Sequence, residues 1–216
     1  HHQPFRDHFL SYLMDGAGTR RSIEWTYPAK WLQEHKVTTK ARLVETSSWS
    51  CMHGVDRWKQ ACGCTPNAVW KAALRDALDR TAVLLDTLYV QTLSPIFPEP
   101  WELRHRYIEV LWGKRTLQEL CYQLSGRRLT SMELNIVQDL LSAQYERQRM
   151  FTSCGFFHDE FYRLEPQNNI AYAAKAVYLT ERATDAELRS IVTDLLQRVQ
   201  SEKTSLRGDT VFSQTM

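Results

Sequence analysis

The sequence predicts an all-α fold, a bundle-like assembly of helices. From about residue 67 onward, apolar residues recur at intervals of three and four, which is the spacing of one face of an α-helix. The alternation of apolar and polar residues that is typical of a β-strand is nearly absent. Three Thr-x-x-Glu patterns also occur, and each is a signature of a helix N-terminus.

The first two long helices can be placed from their ends. Asn67 is a candidate N-cap for the first, and Pro95 lies beyond its C-terminus. The second is predicted over residues 99–112, with Gly113 as its stop signal. These assignments leave residues 45–66, before the first helix, without a helical pattern.

The Thr-x-x-Glu patterns predict three further helix starts. In each pattern the threonine oxygen accepts a free N–H of the first turn, and the glutamate reaches back to the cap. The pairs are Thr116 with Glu119, Thr130 with Glu133, and Thr184 with Glu187. Another helix is predicted over 169–180, whereas the polar residues 201–216 are expected to fray.

The composition excludes several classes of protein. With 216 residues, 43% hydrophobic and 24% charged, the chain is globular, and a net charge of +2 predicts no nucleic-acid partner. No apolar run is long enough for a membrane span, so no membrane partner is expected. The five cysteines form an odd set and no secretion signal precedes them, which favours a reducing cytoplasm.

Two segments between helices concentrate the residue types that carry chemistry. Residues 45–66 and 150–166 both combine cysteine, histidine, aromatic and small hydroxyl residues. Loops that a rigid helical scaffold holds in place are frequent sites of function. These two segments are therefore the candidate functional loops.

The first loop contains a possible metal-binding set, namely Cys51, His53, Cys62 and Cys64. These four ligand types hold structural zinc or an iron–sulfur cluster. One residue separates the members of each pair, whereas zinc sites usually have two to four, so no cofactor is the main prediction and the metal is its alternative. Cys154 is a further candidate ligand, and small buried cysteines that pack as weak hydrophobes are the competing interpretation.

The two loops also resemble a known group of domains. Residues 48–58 read SWSCMHGVDRW, residues 62–64 read CGC and residues 150–157 read MFTSCGFF. These runs are similar to the domain of unknown function number 3536, which follows the catalytic domain in proteins similar to glycoside hydrolase family 57. The resemblance covers about residues 1–180, and the group usually carries Trp where Phe156 stands.

The resemblance implies an incomplete enzyme that acts on an α-linked glycan by hydrolysis or glycosyl transfer. His1 and His2 would close a motif of the type Asp-Gly-Glu-x-x-Gly-His-His at the end of the catalytic barrel. Both catalytic carboxylates would then precede residue 1, and the missing barrel would be a partner of the helices. The implied organisation is the end of the barrel region and a linking helix over 1–25, a helical domain over 26–200 and a frayed tail over 201–216.

The resemblance further implies that the two loops contribute to the substrate cleft. A sugar ring has an apolar face that stacks on an aromatic ring, and its hydroxyl groups need polar partners. The expected substrate-binding residues are His1, His2, Trp49, Ser50, His53, Arg57, Cys154, Gly155, Phe156 and Phe157. Two alternatives remain open: the aromatic residues pack in the core, or the chain is a helical interaction domain without a ligand of its own.

Overall fold

The computed structural model describes residues 8–18 and 23–216. The chain divides into two units, residues 1–44 and residues 45–216. The division falls inside the predicted helical domain 26–200. Among residues 8–18 and 23–44 none is buried, so the described part of the first unit contributes nothing to a core.

The described part of the first unit contains α1 (His8–Gly18) and α2 (Pro28–Glu34). Proline at the first position of α2 suits a helix start, because its missing N–H would have no partner there. The rings of Trp31 and His35 stack at 4.4 Å between centroids, and Lys30 pairs with Glu24 at 3.1 Å. Most of its large apolar side chains are exposed.

The second unit is helical, which confirms the predicted all-α class. A 3-10 turn (Asp56–Trp58) is followed by α3 (Trp70–Leu93), α4 (Pro100–Leu111), α5 (Leu117–Ser125), α6 (Ser131–Arg149), α7 (Cys154–Phe157), α8 (Leu164–Ala183), α9 (Arg189–Leu196) and α10 (Gly208–Thr215). Over residues 8–18 and 23–216 the only β pairing consists of three isolated bridges. None of the helices described is long and apolar enough to span a lipid bilayer.

Two hydrophobic clusters form the core of the second unit. The first is built mainly by the N-terminal half of α3 with α8, α9 and α10, and it includes Phe156 and Phe161 from the second loop. The second cluster joins the C-terminal end of α3 to α4, α5 and α6. Because α3 contributes to both clusters, the loop that precedes α3 is attached to the rigid part of the molecule.

Two of the three predicted capping boxes are confirmed. The hydroxyl oxygens of Thr116 and Thr130 accept the N–H of the glutamate three residues later, and that glutamate accepts the cap N–H in return. The third prediction is wrong, because Thr184 is the C-cap of α8 and α9 begins only at Arg189. The carboxylate of Glu181 accepts the N–H groups of Leu188 and Arg189, so it caps α9 in place of Glu187.

Two helix boundaries also differ from the sequence prediction. The first long helix begins at Trp70 with Val69 rather than Asn67 as its N-cap, because residues 65–68 form a turn in which Ala68 N–H donates to the Thr65 carbonyl. The prediction of a frayed tail is wrong as well. α10 occupies residues 208–215, and it buries Val211 and Phe212 in the first core cluster.

Candidate functional site

Two tight turns shape the loop of residues 45–66. An antiparallel bridge joins Ser48 to Cys51, and another joins Cys62 to Thr65. Trp49 lies in the middle of the first turn. The Ser48 hydroxyl donates to the Gly54 carbonyl at 2.9 Å, which ties the first turn to the chain that leaves it. The loop is therefore folded back on itself, without a helix or strand of its own beyond the 3-10 turn.

The turns bring four ligand-type residues together. The donor atoms of Cys51, His53, Cys62 and Cys64 all lie within 4.8 Å of one another. The Cys51 Sγ atom is 3.9 Å from Cys62 Sγ and 3.8 Å from His53 Nδ1. His53 Nδ1 is 3.6 Å from Cys64 Sγ. All five cysteines are free thiols, and Cys154 does not belong to the cluster.

Glycines make room for this cluster. A Cβ at Gly63 would lie 2.8 Å from His53 Cε1, so the imidazole packs directly against the glycine backbone. Gly54 has a φ of +74°, and a Cβ there would lie 2.8 Å from the Thr46 carbonyl oxygen. A larger residue at either position would displace a neighbour or strain the backbone.

Lys71 and Thr65 form a hydrogen-bonded pair next to the cluster. Lys71 is 0% exposed, and its Nζ donates to Thr65 Oγ1 at 3.1 Å. The same hydroxyl is 3.6 Å from Cys62 Sγ. Burial lowers the pKa of Lys71 to about 8, although the charges of Asp159 and Cys62 act to raise it. A buried ammonium group needs compensating negative charge, which Asp159 and an ionised Cys62 can both supply.

The Cys62 thiol is more acidic than an ordinary thiol. Burial opposes its ionisation, but hydrogen bonds from the Thr65 hydroxyl, the adjacent backbone and the Cys51 thiol outweigh burial. They lower the pKa of Cys62 from 9.0 to about 6. The thiolate, which is the form that binds metal ions and attacks electrophiles, is therefore favoured at neutral pH.

The outer face of the first turn carries exposed apolar side chains. Trp49 is 93% exposed and Met52 is 89% exposed. Trp58, in the same loop, lies partly buried against the first core cluster. The structure thus separates the tryptophans of this loop into one that packs inward and one that faces solvent.

The second loop contacts the first, as a joint site requires. The Arg57 guanidinium lies over the Phe157 ring at 4.7 Å from its centroid, and the Trp58 ring is 6.4 Å from the same ring. Phe157 also meets His158 edge to face at 5.3 Å between centroids. Phe157 is half-buried between the loops.

Unsatisfied hydrogen-bond donors concentrate in the same region. Ser50 Oγ, Arg57 Nε and Trp58 Nε1 are buried and have no hydrogen-bond partner among residues 8–18 and 23–216. A buried donor without a partner is costly, so such groups point to a missing partner such as water, an ion or a ligand. Three of the five such atoms in the described part of the chain lie within nine residues of the first loop.

The remaining predicted site residues are placed differently. Phe156 is 1% exposed and belongs to the first core cluster, so its ring offers no surface for a sugar and the burial is structural. Gly155 is buried as well, whereas Cys154 is exposed. His1 and His2 lie outside the residues that the structure describes.

Gly155 is constrained by packing rather than needed for flexibility. A Cβ on Gly155 would lie 2.4 Å from Asn169 Nδ2, and this amide donates to the Thr152 carbonyl at 3.1 Å. We expect Gly155→Ala to lower the free energy of unfolding by about 1–3 kcal/mol, as overpacking of a tight core does. Urea denaturation measures the change, and Ser153→Ala at an exposed neighbouring position is the control. Equal stability of the two variants would contradict the packing role.

Sequence reasoning missed Lys71 and Thr65, although Lys71 left a signal. It lies three and seven residues before Leu74 and Leu78, so it occupies the apolar stripe of α3. A charged residue on such a stripe is almost never fully buried unless it has a polar or charged partner. Thr65 left no comparable signal, because its role depends on the turn that begins at Cys62.

One protein family matches the chain. The model of a family described as a domain of unknown function (DUF3536) matches residues 67–216. The matched region contains the second loop and continues to residue 216, beyond the expected limit near 180, but it does not include residues 45–66. No curated protein and no solved structure matches the chain.

Proposed function

The chain belongs to the DUF3536 family of domains of unknown function, and we propose that it is the helical part of a carbohydrate-active enzyme similar to glycoside hydrolase family 57. In this proposal the helices hold two loops against an α-linked glycan, and a catalytic barrel supplies the carboxylates. The sequence runs at 48–58, 62–64 and 150–157 are the basis of the proposed link to that enzyme family.

The exposure of Trp49 is the observation that carries the proposal. An indole that is 93% exposed gains nothing from burial in its own chain. It lies in a closed turn, whose bridge between Ser48 and Cys51 fixes the backbone that carries the ring. An exposed flat apolar surface is what the apolar face of a sugar ring stacks on.

Polar side chains of the same loop complete the proposed subsite. Ser50 follows Trp49 directly in the chain, and both Ser50 and Arg57 are half-buried, so a hydroxyl and a guanidinium group accompany the indole in this loop. Arg57 is oriented by the Phe157 ring of the second loop. This combination of one apolar platform and several donors suits a polyhydroxylated ligand better than a purely apolar one.

The proposal assigns no catalytic carboxylate to the described residues. Retaining glycoside hydrolysis needs two carboxyl groups about 5–5.5 Å apart on opposite sides of the scissile bond. Under the proposal that pair lies in the barrel, and the 216-residue chain binds glycan without turnover.

Calorimetric titration with maltooligosaccharides and mannooligosaccharides tests the role of Trp49. We expect saturable binding of one sugar class, and Trp49→Ala is expected to weaken it about 10- to 100-fold. The reason is that losing the burial of a large side chain costs about 1.5–3 kcal/mol.

Trp112→Ala is the matched control. Trp112 is the other exposed tryptophan of the second unit, it lies at the end of α4, and the Lys114 ammonium group lies over its ring. The control should bind as the wild-type chain does. Equal binding by wild type and Trp49→Ala would remove the observation on which the proposal rests.

A further inference from the structure

We infer that Cys51, His53, Cys62 and Cys64 bind a single zinc ion, and that this ion holds the two turns of residues 45–66 together. The inference rests on the positions of the four side chains and on Thr65 and Lys71, which lie next to them. It does not depend on the proposed glycan function, since a zinc-stabilised loop could serve other partners equally well.

The distances between the donor atoms match a tetrahedral zinc site. With Zn–S at about 2.3 Å and Zn–N at about 2.1 Å, a tetrahedron places sulfurs about 3.8 Å apart and sulfur about 3.6 Å from nitrogen. The corresponding separations here are 3.9 Å between Cys51 and Cys62, 3.8 Å between Cys51 and His53, and 3.6 Å between Cys64 and His53. No pair in the set exceeds 4.8 Å, which is about 1 Å more than tetrahedral coordination requires, so small side-chain rotations bring all four donors onto one ion.

The same distances argue against a disulfide and against an iron–sulfur cluster. A disulfide needs its sulfurs about 2.05 Å apart, whereas those of Cys51 and Cys62 are 3.9 Å apart. In an iron–sulfur cluster the four protein ligands are distributed over two or four irons, so ligands of different irons lie farther apart than two ligands of one ion. Three thiolates and an imidazole on one centre are a common ligand set of structural zinc.

The surroundings suit the charge of such a centre. Zinc with three thiolates and a neutral histidine carries a net charge of −1. Lys71, which is fully buried, supplies the opposite charge through Thr65 at 3.1 Å. Because the Thr65 oxygen accepts from Lys71, its own proton is free to donate to Cys62 Sγ, 3.6 Å away. Hydrogen bonds of this kind orient ligands and tune metal affinity.

The consequence for the fold is that the ion replaces a hydrophobic core. Each turn is closed by one bridge, and among residues 45–66 only Cys51 and Thr65 are buried. The ligands come from both turns, so a single ion links them and fixes the chain between them. All four ligands belong to the protein, which is typical of a structural site rather than a catalytic one.

The direct test is metal analysis of the chain expressed without a histidine tag. We expect one zinc ion per chain after dialysis, and replacement by cobalt should give the intense visible spectrum of tetrahedral thiolate coordination. Cys62→Ser and Cys64→Ser should each lose stoichiometric zinc and that spectrum. Cys154→Ser is the control, because this cysteine is exposed and lies outside the cluster.

A second variant keeps the test valid if the cysteine variants fail to fold. Thr65→Val leaves all four ligands in place and is expected to lower zinc affinity about 10- to 100-fold, measured by competition with a chromophoric chelator. Thr87→Val, at an exposed position of α3, should leave the affinity unchanged. Less than half a zinc ion per folded wild-type chain, iron in its place, or a Cys51–Cys62 disulfide in the intact mass would overturn the inference.

Discussion

Replacing Phe212 by alanine is expected to lower the free energy of unfolding by about 3–5 kcal/mol, the usual cost of truncating a buried phenylalanine. Phe212 is 1% exposed and lies in the first core cluster, where α10 packs on α8 and α9. The backbone before it is fixed by a hydrogen bond of 2.8 Å from Gly208 N–H to the Val199 carbonyl. The cavity would therefore form in a part of the chain that has little freedom to collapse.

Urea denaturation of wild type, Phe212→Ala and Gln214→Ala measures this effect. Gln214 lies on the exposed side of the same helix, so its substitution should change stability by less than about 0.5 kcal/mol. If Phe212→Ala were as stable as Gln214→Ala, α10 would not be part of the core. The frayed tail that the polar composition predicts would then be the better description.

Removing zinc with a chelator is expected to unfold residues 45–66 and to leave α3–α10 folded. Structural zinc contributes about 10–16 kcal/mol of apparent binding free energy in small domains. Two turns that are each closed by one backbone bridge have no interaction of comparable strength to keep them folded without the ion. The helices do not depend on the ion, because their two core clusters begin at Ala68. Hydrogen exchange followed by mass spectrometry resolves the two regions.

The expected result is faster amide exchange over residues 45–66, with protection of α6 and α8 unchanged. The control is the same chelator saturated with zinc beforehand, which should have no effect. Unchanged exchange in the loop after complete metal removal would show that the ion does not hold the turns. Loss of protection throughout the helices would contradict the separation of loop and core.

The helical class could be predicted because each helix carries its own signals. The boxes at Thr116 and Thr130 formed as the pattern predicts, since threonine and glutamate satisfy the free N–H groups locally. The pattern at Thr184 failed because α8 continues to Ala183, and Glu181 within α8 accepts the N–H groups of Leu188 and Arg189 where α9 begins. The burial of α10 was missed because Val211 and Phe212 are too few to form a recognisable helical pattern. The helix is stabilised by the packing of these two residues in the core.

The site was predicted only in its composition. The ligand types at Cys51, His53, Cys62 and Cys64 are visible in the sequence, but their spacing of one intervening residue is unusual for zinc. The two turns resolve this difficulty, because they direct the four donor atoms to one point. Periodicity and spacing carry no information on such backbone geometry. For the same reason the sequence could not distinguish the buried Phe156 from the exposed Trp49.

The most direct test of the central proposal observes Trp49 itself. The seven tryptophans give separate indole N–H signals in a nitrogen–proton NMR spectrum of the labelled chain, and Trp49→Ala identifies the signal of Trp49. On titration with maltooligosaccharides or mannooligosaccharides, the Trp49 signal should shift saturably, while those of Trp70 and Trp112 should stay in place. A Trp49 signal that does not move with either sugar class at millimolar concentrations would contradict a glycan-binding role for this loop.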